Sequence, residues 1–192
     1  MAVPIKKQPI QAAFGDTFGD VRMDAATHVL TTISYAHHET HDGNFYRTAM
    51  NFTLGNGNVC ALSFITPNST KWCHMTWELN ATADGTFDLL EDVTSFAGGV
   101  ATVPVNKNRN SRSASGAVCT RGMTGADPIT PTGGTAILDI ALSAGKGNTA
   151  SRTDNAEYIL KQNSKYLFRY TNGTAANVVH LILHWYEHTD KD

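Results

Sequence analysis

Charge is what this sequence has least of. Only 17% of its 192 residues are Asp, Glu, Lys or Arg, against about a quarter in ordinary globular chains. Fifteen Lys and Arg stand against seventeen Asp and Glu, a net charge of −2 with the eight histidines neutral. A nucleic-acid binder needs a basic excess or stripe to neutralise phosphates, so this balance excludes that class of partner. Cysteine is scarce as well. Cys60, Cys73 and Cys119, an odd number at irregular spacing, make neither a disulfide framework nor a CxxC metal knuckle. An antiparallel hairpin turning at Asn68 sets Cys60 opposite Thr76 and Cys73 opposite Ser63, too far apart to bridge. Three small buried thiols in a reducing cytosol are expected. No run is apolar for the length a bilayer requires, and the first residues lack the apolar stretch of a secretion signal. Membrane is therefore not an expected partner, and the chain is expected to be made and kept inside a cell.

What is abundant points to strands and turns. Sixteen glycines accompany many Thr, Asn, Ser and Ala residues, and 41% hydrophobic content suffices for one core in one domain. Residues 1–24 carry Pro4, Pro9 and the near-repeat Phe14-Gly15-Asp16, Phe18-Gly19-Asp20. They read as an extended arm that lies on another surface, with Phe14 and Phe18 as its contact residues. Residues 25–192 read as a single β-sandwich domain. Its first strand is expected at 28–35. From Phe45 to Leu54 the chain alternates, with Tyr46, Met50, Phe52 and Leu54 on one face and Arg47, Asn51 and Thr53 on the other. Gly55-Asn56-Gly57-Asn58 and Asn172-Gly173 carry hairpin signals, and Asp84-Gly85 marks a further turn. About ten short strands at this spacing, with no amphipathic helix, require two sheets to bury their faces. The expected architecture is all-β: a β-sandwich of jelly-roll type with an extended N-terminal arm.

Several clusters invite chemistry. His37, His38, Glu39, His41 and Asp42 offer imidazole and carboxylate ligands at high density. They do not form an HExxH helix pattern, and a loop turn held by hydrogen bonds accounts for them. They are candidate ligands, and the reading assigns neither metal nor cofactor. His180, His184 and His188 share one face of the last strand with Ile182 and Tyr186. Four residues apart on a strand is about 13 Å, too far for one ion, so a polar face in solvent or at a subunit contact is expected. Glu91-Asp92 reads as a solvated turn rather than a glycosidase pair. Ser143 to Thr149 lacks the glycine and the Ser or Thr of a phosphate loop. No Gly-x-Ser-x-Gly elbow occurs, and the chain is not expected to be an enzyme. Lys107, Arg109 and Arg112 form the best electrostatic contact for an acidic partner. Trp72, Trp77 and Trp185 are expected in the core or at an interface.

Three stretches carry a likeness: His38-Glu39-Thr40-His41-Asp42-Gly43-Asn44-Phe45, Ile65-Thr66-Pro67-Asn68-Ser69-Thr70-Lys71-Trp72, and Leu181-Ile182-Leu183-His184-Trp185-Tyr186-Glu187-His188-Thr189. Together with Asn106-Lys107-Asn108-Arg109-Asn110 and Tyr158-Ile159-Leu160-Lys161-Gln162-Asn163, the chain resembles tailed-bacteriophage virion structural proteins from about Tyr35 to Thr189. The resemblance implies a jelly-roll subunit, trimeric, on the capsid exterior as a decoration or cement protein. Its partners would be copies of itself and the major capsid protein. Its place would be the virion surface, after synthesis in the host cytoplasm. A tail or head-fibre module that binds host surface glycan is the alternative.

Overall fold

The structure is a computed structural model, and it describes residues 11–14, 17–20, 35–143 and 150–189, with side chains described over 36–143 and 157–189. The first described segments, β1 (Gln11–Phe14) and β2 (Thr17–Asp20), pair antiparallel. The rest of the arm, and the side chains of Phe14 and Phe18, lie outside the described residues. So do 28–34 of the expected first strand and 144–149 of the rejected phosphate loop. Tyr35 belongs to a helix, not to a strand.

That helix, α1 (Tyr35–Asp42), corrects the reading of the His37–Asp42 cluster as a loop. It has no apolar stripe, so hydrophobic periodicity could not reveal it. What ends it is legible in hindsight. The Gly43 amide donates to the Thr40 carbonyl and the Asn44 amide to the Glu39 carbonyl. This is a Schellman cap with Gly43 at the left-handed position, φ 76°. A β-carbon there would collide with Ser111, so glycine is required twice over.

The long strands follow from alternation. They are β3 (Phe45–Leu54), β4 (Val59–Ile65), β5 (Lys71–Ala81), β6 (Gly85–Glu91), β12 (Thr135–Leu142), β13 (Ala150–Leu160), β14 (Lys165–Asn172) and β15 (Asn177–Thr189). Between β6 and β12 lie the shorter β7 (Ser95–Ala97), β8 (Val100–Thr102), β9 (Val105–Asn106), β10 (Val118–Met123) and β11 (Thr130–Thr132). The eight long strands pair as nested antiparallel couples: β3 with β15, β4 with β14, β5 with β13 and β6 with β12. The couples fold over into a six-stranded sheet, β12-β6-β14-β4-β10-β8, and a five-stranded sheet, β13-β5-β15-β3-β9. The chain is an all-β jelly-roll sandwich.

This wrapping overturns the hairpin expectations. Gly55–Asn58 does not fold β3 onto β4, and Asn172-Gly173 does not fold β14 onto β15, because each pair has one strand in each sheet. The Asn-Gly signals are genuine turns used as corners between sheets. The same applies to β4 and β5, so Cys60 and Cys73 are not neighbours on one hairpin. All three cysteines are nevertheless free and buried. Burial pushes the thiols of Cys60 and Cys119 up to about 12.

Inward faces from both sheets make the core. Trp77, Trp185, Phe64, Phe87, Phe168 and Tyr170 are fully buried, with Phe64 edge-on to Trp185 at 4.9 Å. Outside the six-stranded sheet a second cluster of Ala61, Leu90, Val93, Ile129 and Leu167 packs with Phe96 of β7. The β7–β11 ribbon belongs to that cover. One end of the sandwich is closed by two buried amides. Asn177 Oδ1 accepts from the amides of Thr82 and Ala83, while its Nδ2 donates to Tyr170 Oη and Asn172 Oδ1. Asn172 Nδ2 in turn donates to the carbonyls of Leu54 and Gly55. Three sheet-to-sheet corners thus share one network.

Two outcomes follow from burial. Asn177→Ala strands the Ala83 amide, while the Thr82 amide keeps the Val178 carbonyl, and should cost about 1–3 kcal/mol, read as a lower urea midpoint with unchanged slope. Native protein at pH 8 should react with an aromatic disulfide reagent only as fast as it unfolds, since thiolate is the reactive form; a rapidly titrating thiol would contradict the core assignment.

Candidate functional site

The pleat of β15 decides what the outer face of the five-stranded sheet presents. Val179, Leu181, Leu183 and Trp185 point inward, so His180, Ile182, His184, Tyr186 and His188 point outward. The expected polar face is present, but spacing along one strand hid its most organised part. Register places His74 of β5 opposite Tyr186, next to the pair Trp72 and His188. The His74 ring stacks on Tyr186 with centroids 4.7 Å apart and planes 16° apart. Its Nε2 lies 2.6 Å from Nε2 of His188. On the other side, Nδ1 of His74 meets the carboxylate of Glu157 from β13, which also accepts a 2.7 Å hydrogen bond from Tyr186 Oη.

A carboxylate, two imidazoles and a phenol from three strands therefore form one chain across the sheet. Such a chain can hold and pass a proton. A sequence signal existed only for β15. The cross-strand partners His74 and Glu157 required the register.

His184 occupies a second position on this face. Its Nε2 stands 3.5 Å from Glu78 Oε1, and its Nδ1 is buried with no partner among the described residues. Burial, then the nearby Lys107, holds the imidazole below its ordinary value, with Glu78 pulling the other way. Lys107 lies over the Phe45 ring at 3.8 Å, and Phe45 packs edge-on against Tyr186. Burial and neighbouring Arg47 in turn lower the Lys107 ammonium.

The basic stretch does not act as one patch of three. Lys107 belongs to this sheet face. Arg109 reaches back to the Asn106 carbonyl at 3.4 Å, and Arg112 is exposed farther along the loop. That loop is organised from inside. Asn106 Nδ2 donates to the carbonyls of Gly43 and Ser113, and the amide of Asn108 donates to Asn106 Oδ1. Asn108 Nδ2 donates to the His41 carbonyl, which brings the basic loop against α1. The two clusters separated by some sixty residues in sequence are therefore neighbours.

On α1 the helical turn sorts the candidate ligands into two groups. His37 and His41 face each other with Nε2 atoms 2.9 Å apart. His38 Nδ1 lies 3.4 Å from Glu39 Oε1 and 3.5 Å from Asp42 Oδ2. His38 and Asp42 are half exposed, whereas Glu39 is 4% exposed.

Other candidates resolve plainly. Glu91 and Asp92 are both held by Lys161 Nζ at 2.7 Å, so the acidic pair is a clamped turn. Trp77 and Trp185 are core residues, and Trp72 is half-buried. A cleft of about 260 Å³ opens on the other sheet, bordered by Ala61, Thr124, Ile129, Pro131 and Arg169. Its cation is already taken, since Arg169 Nε donates to both oxygens of Asp88.

No family model matches the chain, and no curated protein and no solved structure matches it either.

His184 makes the pH dependence of stability testable. A folded-state value lowered from the ordinary 6.5 means the unfolded chain binds the proton more readily. That stability is present above about pH 6.5 and is lost as the pH falls below it. Thermal unfolding between pH 7.5 and pH 5 should show the decline, and His184→Gln should flatten it; an equal slope in the variant would refute the assignment.

Proposed function

We propose that this chain is a non-enzymatic structural subunit of a bacteriophage particle, a trimeric cement protein that decorates and stabilises the capsid exterior. The observation that carries the reading is the pair of sandwich edges. Among the described residues, strands β8 and β9 each pair on one side only, as do β12 and β13 at the far end of the two sheets. Free edges offer backbone donors and acceptors, and isolated proteins normally guard them with charge. Here exposed apolar side chains stand at both, beside the charges of Asp139 on β12 and Glu157 on β13 at the second. Val100, Val105 and Val118 are exposed around the first edge, and Val103 is 82% exposed. Ile137 of β12 and Ile159 of β13 are exposed at the second.

Two different apolar edges on opposite sides suit head-to-tail contacts between copies. Such contacts close into a ring when the rotation allows. A trimer built this way presents three copies of the exposed loop of Arg109 and Arg112, with Lys107 on the adjoining sheet face, to an acidic partner, which this reading assigns as the major capsid protein. Three modest contacts then act together as one durable one. Binding the assembled shell and not its separate pieces would stabilise the shell by mass action. The low charge of the chain favours the same reading, since surfaces covered by neighbours have little use for it.

Light scattering on the purified protein should give three times the mass of 20.7 kDa. Val103→Asp with Val118→Asp should yield a monomer with an unchanged circular dichroism spectrum. Immunogold labelling of purified virions should mark the shell. A wild-type monomer would sink the ring, and label confined to the tail or fibres would favour the glycan-binding alternative.

A further inference from the structure

We infer that α1 carries a divalent metal site of the zinc class, formed by His38 Nδ1 and the carboxylates of Glu39 and Asp42. Asp42 follows His38 by four residues and Glu39 by three, the two spacings that bring helical side chains together, so it stands between them on the helix surface. The three donor atoms lie within 4.8 Å of one another. Two ligands about 2.1 Å from a tetrahedral ion stand about 3.4 Å apart. The structure has His38 Nδ1 at 3.4 and 3.5 Å from its two carboxylate oxygens, which is that spacing and is longer than a good charged hydrogen bond.

The second observation is Glu39 itself. Its carboxylate is 4% exposed, yet its partners among the described residues are distant: Asn44 Nδ2 at 3.3 Å and His38 Nδ1 at 3.4 Å. A buried carboxylate normally gathers short, strong donors, and a second carboxylate nearby raises the cost of its charge. A dication between them removes both problems. The donor set of one nitrogen and two oxygens suits zinc, with manganese and cobalt as related occupants, and leaves the fourth position to water. Asn44 orients the Glu39 carboxylate from behind, as outer partners of metal ligands do. The ion would brace the helix that joins residues 1–34 to the sandwich.

The test uses the full chain, stripped with a chelator and titrated with zinc by calorimetry, and with cobalt by its visible absorption. One ion per chain is expected, with the strong visible bands of tetrahedral cobalt. Saturating zinc should raise the unfolding midpoint by about 5–10 °C at a hundred times the dissociation constant. His38→Gln and Asp42→Asn should each weaken binding by about ten-fold or more, and together abolish it. Both side chains are half exposed, so the metal-free variants should unfold at the wild-type temperature. His37→Gln with His41→Gln should leave binding intact. The inference is overturned if no saturable uptake occurs, if the His38/Asp42 double variant still binds, or if the loss follows His37 and His41.

Discussion

The alternation of β15 is the constraint on which the rest of the molecule hangs. This strand sits in the middle of the five-stranded sheet, between β5 and β3. Val179, Leu181, Leu183 and Trp185 are completely buried on its inner face, each contributing about 1.5–3 kcal/mol by leaving water. A slip of one residue would exchange this set for His180, Ile182, His184 and Tyr186. A one-residue slip in either direction would turn polar side chains into the core. The same register then brings His188 to His74 and His184 to Glu78, so the outer face is ordered as a by-product of the inner one.

Buried polar groups at both ends of β15 convert that register into a closed sandwich. At its start, Asn177 and Asn172 tie together the corners that carry the chain between sheets. At its end, Glu187 is 2% exposed and takes hydrogen bonds from Ser115 Oγ at 2.5 Å, the Gly116 amide and Trp185 Nε1. An unpaired carboxylate at this depth would cost several kcal/mol, so these donors are obligatory. They hold the end of the long β9–β10 connection, while Asn106 holds its beginning. Tyr46 Oη donates to the Gly43 and Ala114 carbonyls, linking the same loop to the cap of α1. Burial and the charge of Glu187 push that phenol up to about 12. The helix, the basic loop and the end of β15 are thus one mechanical unit.

The jelly-roll wrap also explains why the molecule has edges to offer. Nesting four couples leaves the innermost couple, β6 with β12, at the end of one sheet, and β13 at the same end of the other. The inserted strands β8 and β9 make the opposite end. A barrel would have consumed these edges in its own closure. A sandwich keeps them, and exposed apolar side chains stand at both ends among the described residues.

Much of the fold was already written in the chain. Alternation in Phe45–Leu54 and in the last strand identified which side chains enter the core, because a pleated strand has a strict period of two. Turn residues at Gly55–Asn58, Asp84-Gly85 and Asn172-Gly173 marked where strands stop, because they admit backbone shapes others resist. What the sequence could not convey was which strand lies beside which. Pairing is set by burying two faces at once, and that favoured partners as far apart in the chain as Phe45 of β3 and Tyr186 of β15 over the hairpins that local turn chemistry suggested. Helix α1 was illegible for a related reason: it has no apolar stripe of its own and is secured by its Gly43 cap and by the loop packed on it. The chain by itself determined the strands, the turns and the buried side chains, since these depend on local geometry and hydrophobic pattern. Only the tertiary structure decided the strand partners, the His74–His188–Glu157 chain and the grouping of His38, Glu39 and Asp42, since each depends on what the folded backbone brings within a few ångströms.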